Sequence, residues 1–287
     1  MWVRKTPVMA LLGLVLVISL GVFVVTRSVP DGIKLPKIGP ECTVRADGEV
    51  TLDLVQMANA ATISAVGIRR GMPERAVVVA LATALQESKL ENRDDGDRDS
   101  IGLFQQRPSQ GWGSVDQIKD PRYSAGRFYS ALKRVKGWEK LRITDAAQKV
   151  QRSAYPHAYE KWADESTVLA RALTGRVTGA VECTVSGSPA LRGAAAAAAL
   201  LEGLKLDWGK GLEKTRPAEQ AAGLTLAVTD PSTGWRYAHW LVSHASGTGL
   251  ERVRFADLEW DAGAGKWQPV TADGGIDERK VIAQVFR

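Results

Sequence analysis

The chain has 287 residues, enough for about two domains, and 45% of them are hydrophobic, so buried cores are expected. Its net charge of +6 suits anionic partners such as lipid headgroups, teichoic acids or peptidoglycan carboxylates. Acidic residues are interspersed with the basic ones and there is no long basic run, which argues against a nucleic-acid partner.

An apolar segment stands near the N-terminus. Residues 8–25 are uncharged and just long enough to span a hydrocarbon core of roughly 30 Å. No small-x-small cleavage pattern follows in Thr26–Pro30, so an uncleaved signal-anchor is favoured over a cleaved signal peptide. Arg4 and Lys5 precede the span, which predicts a cytoplasmic N-terminus and an extracytoplasmic body. A single span cannot enclose a pore, so a transporter is not supported.

The next segment predicts an extended linker. Residues 28–41 include the proline-containing stretch Pro30–Pro40, so residues 1–27 are assigned to a cytoplasmic stub and anchor and folding is expected to begin near Cys42. The second cysteine, Cys183, lies in the same tetrapeptide, Glu-Cys-Thr-Val. A disulfide between them would join the ends of a domain over residues 42–185, and two unrelated buried thiols are the alternative.

Apolar residues recur at helical spacing from Leu52 to Gly175, which predicts a compact helical domain. Its central helix is expected from Pro73 to about Leu90, with a core stripe and a face of small residues that leaves Glu87 at a crevice. The stripe is Val77, Leu81 and Leu85, and the small face is Ala80, Thr83 and Ala84. After a polar loop over residues 92–100, further helices are predicted around Tyr123–Val135, Thr144–Ser153 and Glu165–Leu173.

Residues 186–287 mix helical and strand patterns and predict a small α+β domain. An Ala-rich helix is expected over Pro189–Leu206 and a second helix over Trp235–Ala245. The predicted strands are Leu224–Val228 and Arg252–Trp260, with a turn over Asp230–Gly234. The fold class is therefore a mainly α domain followed by a small α+β domain, preceded by one transmembrane helix.

Glu87 is the main candidate for chemistry. Cleavage of a glycosidic bond needs a carboxylic acid that stays protonated near neutral pH beside a groove for the polysaccharide. Glu87 lies on a largely apolar helix and near its C-terminal end, and both features favour the neutral acid. A solvated glutamate in a last helical turn is the alternative.

Two motifs carry a family resemblance. Leu85-Gln86-Glu87-Ser88, followed by Gly102-Leu103-Phe104-Gln105-Gln106, resembles the paired signatures of soluble-lytic-transglycosylase and goose-type lysozyme domains. Those families place a Glu-Ser step before a Gly-Leu-Met-Gln segment at closely similar spacing. The resemblance covers about Cys42 to Leu173, and Arg107–Gly113 is similar to exported actinobacterial proteins with this module.

The resemblance implies a lysozyme-like fold in which Glu87 is the catalytic acid and the second motif lines the substrate groove, with Phe104 replacing the family's Met. Substrate contacts are accordingly expected from Ser88, Gly102, Leu103, Phe104, Gln105, Gln106, Trp112 and Tyr155. The third family motif, Tyr-Asn-Ala-Gly, is absent, and its nearest counterpart is the stretch from Gln148 to Tyr155. A cell-wall binding or scaffold protein without turnover therefore stays open beside the enzyme.

A second carboxylate, as glycoside hydrolases use, has four local candidates, Asp94, Asp95, Asp97 and Asp99. Asp99 is proposed for an electrostatic or groove-shaping catalytic role. Lytic transglycosylases need no second carboxylate, because a hydroxyl of the substrate closes an anhydro ring, so the reaction type stays open. An EF-hand calcium loop would need glycine where Ser100 stands and glutamate where Gln106 stands, so this loop does not match that motif. No metal site and no cofactor are expected.

The C-terminal tryptophans allow two interpretations, an exposed glycan-binding face or a buried core; they are Trp208, Trp235, Trp240, Trp260 and Trp267. Residues 223–228 and 238–245 loosely resemble hedgehog/D-Ala-D-Ala metallopeptidase-like domains. The zinc-ligand positions of that family fall on Gln220 and Ala227, so no zinc site is expected. His239 and His244 point to different sides of a helix, which favours a non-catalytic binding or scaffolding domain.

Together these patterns predict a single-pass membrane protein with an extracytoplasmic body that cleaves the β-1,4 glycan strand of peptidoglycan. The expected partners are peptidoglycan strands and the cytoplasmic membrane.

Overall fold

The structure, a computed structural model, describes residues 39–185, 187–212, 216–217, 223–270 and 277–287. The predicted transmembrane segment, most of the predicted linker and Gln220 lie outside these residues. Within them, no helix is both long enough and apolar enough to cross a bilayer. The class is mixed α and β, about 49% helical with two sheets. Residues 40–287 form one compact unit.

A small antiparallel sheet closes the helical region, residues 39–185. Its strands are β1 (Glu41–Arg45), β2 (Glu49–Asp53) and β3 (Val181–Cys183), in the order β2-β1-β3. Cys42 faces Cys183 directly in the β1–β3 register, and the two form a disulfide across a sequence separation of 141. The predicted cross-link is confirmed. The sheet was not predicted, because β3 has only 3 residues, too few for strand alternation to show.

Six helices lie between β2 and β3 in the chain. They are α1 (Leu54–Arg69), α2 (Glu74–Ser88), α3 (Val115–Lys119), α4 (Pro121–Lys133), α5 (Ile143–Gln151) and α6 (Ala163–Leu173). Short 3-10 turns cover Pro108–Gln110, Trp138–Lys140 and Glu160–Trp162. The predicted helices are confirmed to within a few residues. Helix α2 is more central than its pattern suggested, since every residue from Ala76 to Leu85 is buried.

The C-terminal region, residues 187–287, is α+β as predicted. Its helices are α7 (Gly193–Trp208), α8 (Pro231–Ser243) and α9 (Ala245–Thr248), with a 3-10 turn at Gly209–Leu212. One antiparallel sheet has the order β4-β5-β9-β6-β7-β8. Its strands are β4 (Arg216–Pro217), β5 (Gly223–Ala227), β6 (Leu250–Ala256), β7 (Leu258–Asp261), β8 (Lys266–Pro269) and β9 (Asp277–Val285).

Two local predictions in this region were wrong. The predicted turn at Asp230–Gly234 is the first turn of α8: Asp230 caps the helix by accepting a hydrogen bond from the Thr233 N–H at 2.9 Å. An Asp-Pro pair suits a turn and a helix start equally well. The single strand predicted over Arg252–Trp260 is the hairpin β6–β7, which reverses after Ala256, whose φ is +53°.

The C-terminal tryptophans belong to the core. Four of the five are less than a tenth exposed: Trp208, Trp235, Trp240 and Trp260. Trp267 is half-buried, packs edge-on against Trp235 and donates its indole N–H to the Val181 carbonyl at 2.8 Å. The buried interpretation is confirmed for these four, which do not form a glycan-binding face.

A buried carboxylate joins the helical and C-terminal regions. Asp207, at the end of α7, is fully buried, and its Oδ2 accepts hydrogen bonds of 2.8 Å from Thr62 Oγ1 and Trp240 Nε1. Arg122 Nε lies 2.6 Å from Asp207 Oδ1, an ion pair without hydrogen-bond alignment. Helices α1, α4, α7 and α8 therefore meet at this one side chain.

His239 makes a second connection between the regions. Its Nε2 accepts a hydrogen bond from the Ala180 N–H at 2.9 Å, and its Nδ1 lies 2.8 Å from the Ala172 carbonyl. Burial lowers the pKa of His239 to about 4, so the ring is neutral at pH 7 with the proton on Nδ1. The His244 ring instead stacks on Trp240 at 4.0 Å, so the two imidazoles serve separate contacts.

Candidate active site

Glu87 lies in the last turn of α2, which ends at Ser88. The helix stops there because Lys89 and Leu90 adopt left-handed conformations with φ of +60° and +62°. The ten residues from Ala76 to Leu85 are buried, whereas the Glu87 side chain is half-buried at the surface of a groove. The predicted crevice setting is therefore present at the end of the central helix.

Two donors, the buried Tyr159 and the half-buried Gln151, hold one oxygen of the Glu87 carboxyl group. Its Oε1 accepts a hydrogen bond of 2.8 Å from the Tyr159 hydroxyl and one of 3.1 Å from Gln151 Nε2. The same amide of Gln151 donates to the Phe104 carbonyl at 2.8 Å, which fixes its orientation. In the described part of the chain, no donor hydrogen-bonds to Oε2. One carboxyl oxygen is thus anchored and the other is free for a ligand.

Tyr159 is a fixed hydrogen-bond donor. It is only 1% exposed, and burial together with the charge of Glu87 raises the pKa of its hydroxyl well above the usual range. The phenol therefore stays neutral and keeps its proton directed at the carboxyl group.

Buried groups hold the second motif, Gly102 to Gln106, against α2. The Ser88 hydroxyl is 2% exposed and donates to the Leu103 carbonyl at 2.8 Å. Gly102 has φ of +77°, and a Cβ there would lie 2.9 Å from the Ile118 carbonyl oxygen, so only glycine fits. Phe104 stacks on Phe128 with ring centroids 4.8 Å apart.

The expected substrate contacts therefore separate into two groups. Ser88, Gly102, Leu103 and Phe104 are buried supports that position Glu87 and do not line the groove. The groove is lined by Gln105, Gln106, Trp112 and Tyr155, which are among the expected contacts, together with Glu87 itself.

The groove has a volume of about 1020 Å³. Pockets for drug-sized ligands run to roughly 1,000 Å³, so this one has room for a segment of a polymer. Tyr155 is 75% exposed and Trp112 is half-buried, so each has ring surface available to a ligand. Trp162 does not line the groove and donates its indole N–H to Gln86 Oε1 at 2.9 Å.

Each of the four candidate aspartates already has an ion-pair or hydrogen-bond partner. Asp97 alone among them lines the groove, and it pairs with Arg107 at 2.7 Å. Asp94 pairs with Lys119 at 2.6 Å and Asp95 with Arg93 at 3.3 Å.

Asp99 lies outside the groove lining, and its Oδ2 accepts a hydrogen bond from the Ser109 N–H at 2.8 Å. That backbone hydrogen bond holds the pKa of Asp99 below its usual range. Its position suits shaping of the loop more than contact with a substrate. Among the described residues, no group of three or more His, Cys, Asp or Glu side chains is placed to hold a metal ion.

The sequence did not single out Tyr159 and Gln151. Gln151 belongs to the stretch from Gln148 to Tyr155 that is the nearest counterpart of the third family motif, so a signal was present. Tyr159 follows that stretch by a few residues, and nothing in its local pattern points to Glu87.

No protein-family model matches the chain, and no curated protein matches it.

Proposed function

We propose that the chain is a membrane-anchored enzyme that cleaves the β-1,4 glycan strand of peptidoglycan, with Glu87 as general acid. One observation carries the proposal. Glu87 stands in a polymer-sized groove with Oε1 held by two fixed donors, Tyr159 and Gln151, and Oε2 open to a ligand. This is the arrangement that proton donation to a bound glycosidic oxygen needs. The resemblance of the two motifs to lysozyme-like domains supplies the substrate class.

The two donors suit both states of the acid. While Glu87 is protonated on Oε2, Oε1 is the carbonyl oxygen and accepts from Tyr159 and Gln151. Proton transfer to the glycosidic oxygen breaks the bond to the anomeric carbon and leaves a carboxylate. Hydrogen bonds to a charged acceptor are about twice as strong as neutral ones, so both strengthen as the charge develops.

The surroundings of Glu87 favour transglycosylation over hydrolysis. A hydrolase of the two-carboxylate type needs a second free acid, and the only other acid that lines the groove among the described residues, Asp97, is paired with Arg107. In transglycosylation a hydroxyl of the cleaved sugar attacks its own anomeric carbon and closes an anhydro ring. The proton of that hydroxyl passes to the Glu87 carboxylate, which regenerates the acid, so no further residue is consumed.

The proposed location is the outer side of the cytoplasmic membrane. The apolar residues 8–25 supply the anchor, and the positive residues before them favour a cytoplasmic N-terminus. The Cys42–Cys183 disulfide agrees with this location, because such bonds persist outside the reducing cytoplasm.

The test is turnover by the full chain in a nonionic detergent with purified peptidoglycan. Glu87→Gln should lower the rate about 10²- to 10⁴-fold, because general acid catalysis is lost while shape is kept. Glu139→Gln, at an exposed glutamate, is the matched control and should retain the wild-type rate.

Mass spectrometry of the products should show anhydro ends, whereas reducing ends would assign hydrolysis. Equal product from wild type and Glu87→Gln would refute the catalytic role. A wild type that binds without turnover would favour the scaffold alternative.

A further inference from the structure

The groove around Glu87 is strongly cationic. In the part of the chain that the structure describes, six basic side chains line it against two carboxylates, those of Glu87 and Asp97. The six are Arg98, Arg107, Arg127, Arg134, Lys149 and Arg152. The net charge of the whole chain is only +6, so the positive charge is concentrated in this concavity.

The basic residues come from four separate parts of the chain. Arg127 lies on α4 and Arg134 directly follows the last residue of that helix, and both line the groove together with Ala131. Lys149 and Arg152 stand at the end of α5. Arg98 is on the polar loop over residues 92–100, and Arg107 directly precedes the 3-10 turn Pro108–Gln110. Cations therefore face a ligand from more than one wall, which a chance charge run on a single element would not produce.

These charges are largely uncompensated. Of the six, Arg107 alone has an ion-pair partner among the described residues, Asp97. Arg127 donates to the Gly111 carbonyl at 2.8 Å, which orients it and leaves its charge unneutralised. Like charges in a concave site repel one another and focus the field, and an anionic ligand relieves that repulsion.

We propose that the groove selects glycan strands that carry negative charges over neutral β-1,4 glycans. The charges are carboxylates of stem peptides or phosphodiesters of attached wall polymers, which share the chemistry that exposed arginine and lysine side chains bind. The inference rests on the proposed function for the glycan backbone. Beyond that function, negative charge is the property of the strand that the groove recognises.

The experiment measures binding by full-length Glu87→Gln protein in a nonionic detergent, so that a failure of catalysis and a failure of charge recognition are separated. The ligands are uncrosslinked peptidoglycan strands, the same strands with their carboxylates amidated, strands stripped of phosphodiester polymers, and neutral chitin oligosaccharides. We expect the untreated strands to bind at least about tenfold more tightly than chitin at low salt, with the difference shrinking at 0.5 M salt because exposed charges are screened.

The groove itself is tested by two matched double substitutions in the same background. Arg134→Gln with Lys149→Gln removes two charges from the lining, and we expect about threefold to tenfold weaker binding of the anionic strands with chitin binding unchanged. Lys133→Gln with Lys136→Gln removes two exposed charges that do not line the groove, and should leave both affinities within about twofold.

Each outcome decides the inference. Loss of the preference on amidation supports stem carboxylates as the recognised groups, and loss on removal of the phosphodiester polymers supports phosphates. Equal affinity for charged strands and chitin overturns the inference. So does an equal loss in the two double variants, because it would show general attraction instead of recognition in the groove.

Discussion

At the scale of single residues, the feature that sets Glu87 apart is the asymmetry of its carboxyl group. Tyr159 and Gln151 both donate hydrogen bonds to Oε1, and both donors are held in place. Tyr159 is only 1% exposed, and the Gln151 amide also donates to the Phe104 carbonyl. The acid is therefore oriented before a substrate arrives. Such pre-organisation lowers the cost of reaching the reactive geometry.

Tyr159→Phe tests this orientation. Removing one hydrogen bond to a charged group costs about 1.5–3 kcal/mol, so kcat should fall roughly 10- to 100-fold. KM should change little, because Tyr159 does not line the groove. The measurement is steady-state turnover on soluble peptidoglycan strands.

The matched control is Tyr129→Phe, which removes another buried hydroxyl, one that donates to the Ile63 carbonyl at 3.1 Å and not to Glu87. Its kcat should stay near the wild-type value. A Tyr159→Phe enzyme with unchanged kcat, or with a raised KM alone, would show that Tyr159 does not act through Glu87.

At the scale of secondary-structure elements, the three-stranded sheet brings the two ends of the helical region together. Strand β1 pairs with β2 beside it in sequence and with β3 far along the chain, so the helices α1 to α6 form one long loop between Cys42 and Cys183. Both cysteines are fully buried in the core. The disulfide thus restricts the unfolded chain across the whole region that carries Glu87.

Cys42→Ala with Cys183→Ala should lower the free energy of unfolding by about 5 kcal/mol, the chain-entropy cost for a closed loop of this length. Alanine is chosen because a serine hydroxyl at these buried positions would lack a partner. Urea unfolding monitored by tryptophan fluorescence gives the free energies, and wild type with reductant should resemble the variant. Non-reducing peptide mapping of exported protein should find the two cysteines joined. Free thiols at both positions would contradict the disulfide.

At the scale of the whole molecule, the helical and C-terminal regions are joined through polar groups buried in a continuous core. His239 of α8 contacts Ala172 and Ala180, and Asp207 connects four helices. These groups contribute only when both regions are folded. Four of the five C-terminal tryptophans are buried in the same core and Trp267 packs against it, so the described part of this region supports the helical region.

The buried His239 predicts a loss of stability in acid. Its pKa in the folded protein is lowered to about 4, whereas an unfolded histidine titrates near 6.5, so the unfolded state binds more protons between these values. The stabilisation is complete above pH 6.5 and is lost as the pH falls through about 4.

Between pH 7 and pH 5 the free energy of unfolding of the wild type should therefore fall by about 2 kcal/mol more than that of His239→Gln. Urea unfolding at the two pH values measures the difference. His157→Gln, at an exposed histidine, is the control and should keep the pH dependence of the wild type. Parallel pH dependences of the wild type and His239→Gln would contradict the neutral, buried ring.

The amino-acid sequence by itself determined the elements whose signals are local. Periodicity located helices α2, α4, α5 and α6 to within a few residues, and the two motifs directed attention to Glu87 at the end of α2. The paired tetrapeptides gave the disulfide. Such features depend on neighbours a turn or two away, which a linear pattern records. The membrane anchor and the substrate stay predictions.

Only the tertiary structure decided what surrounds Glu87. Its partners Gln151 and Tyr159 lie 64 and 72 positions further along the chain, and the cations of the groove come from four separate parts of the chain. The structure also separated buried supports such as Ser88 and Phe104 from the residues that line the groove. Contacts between distant positions form only when helices pack against one another, and no local pattern encodes which side chains that packing brings together.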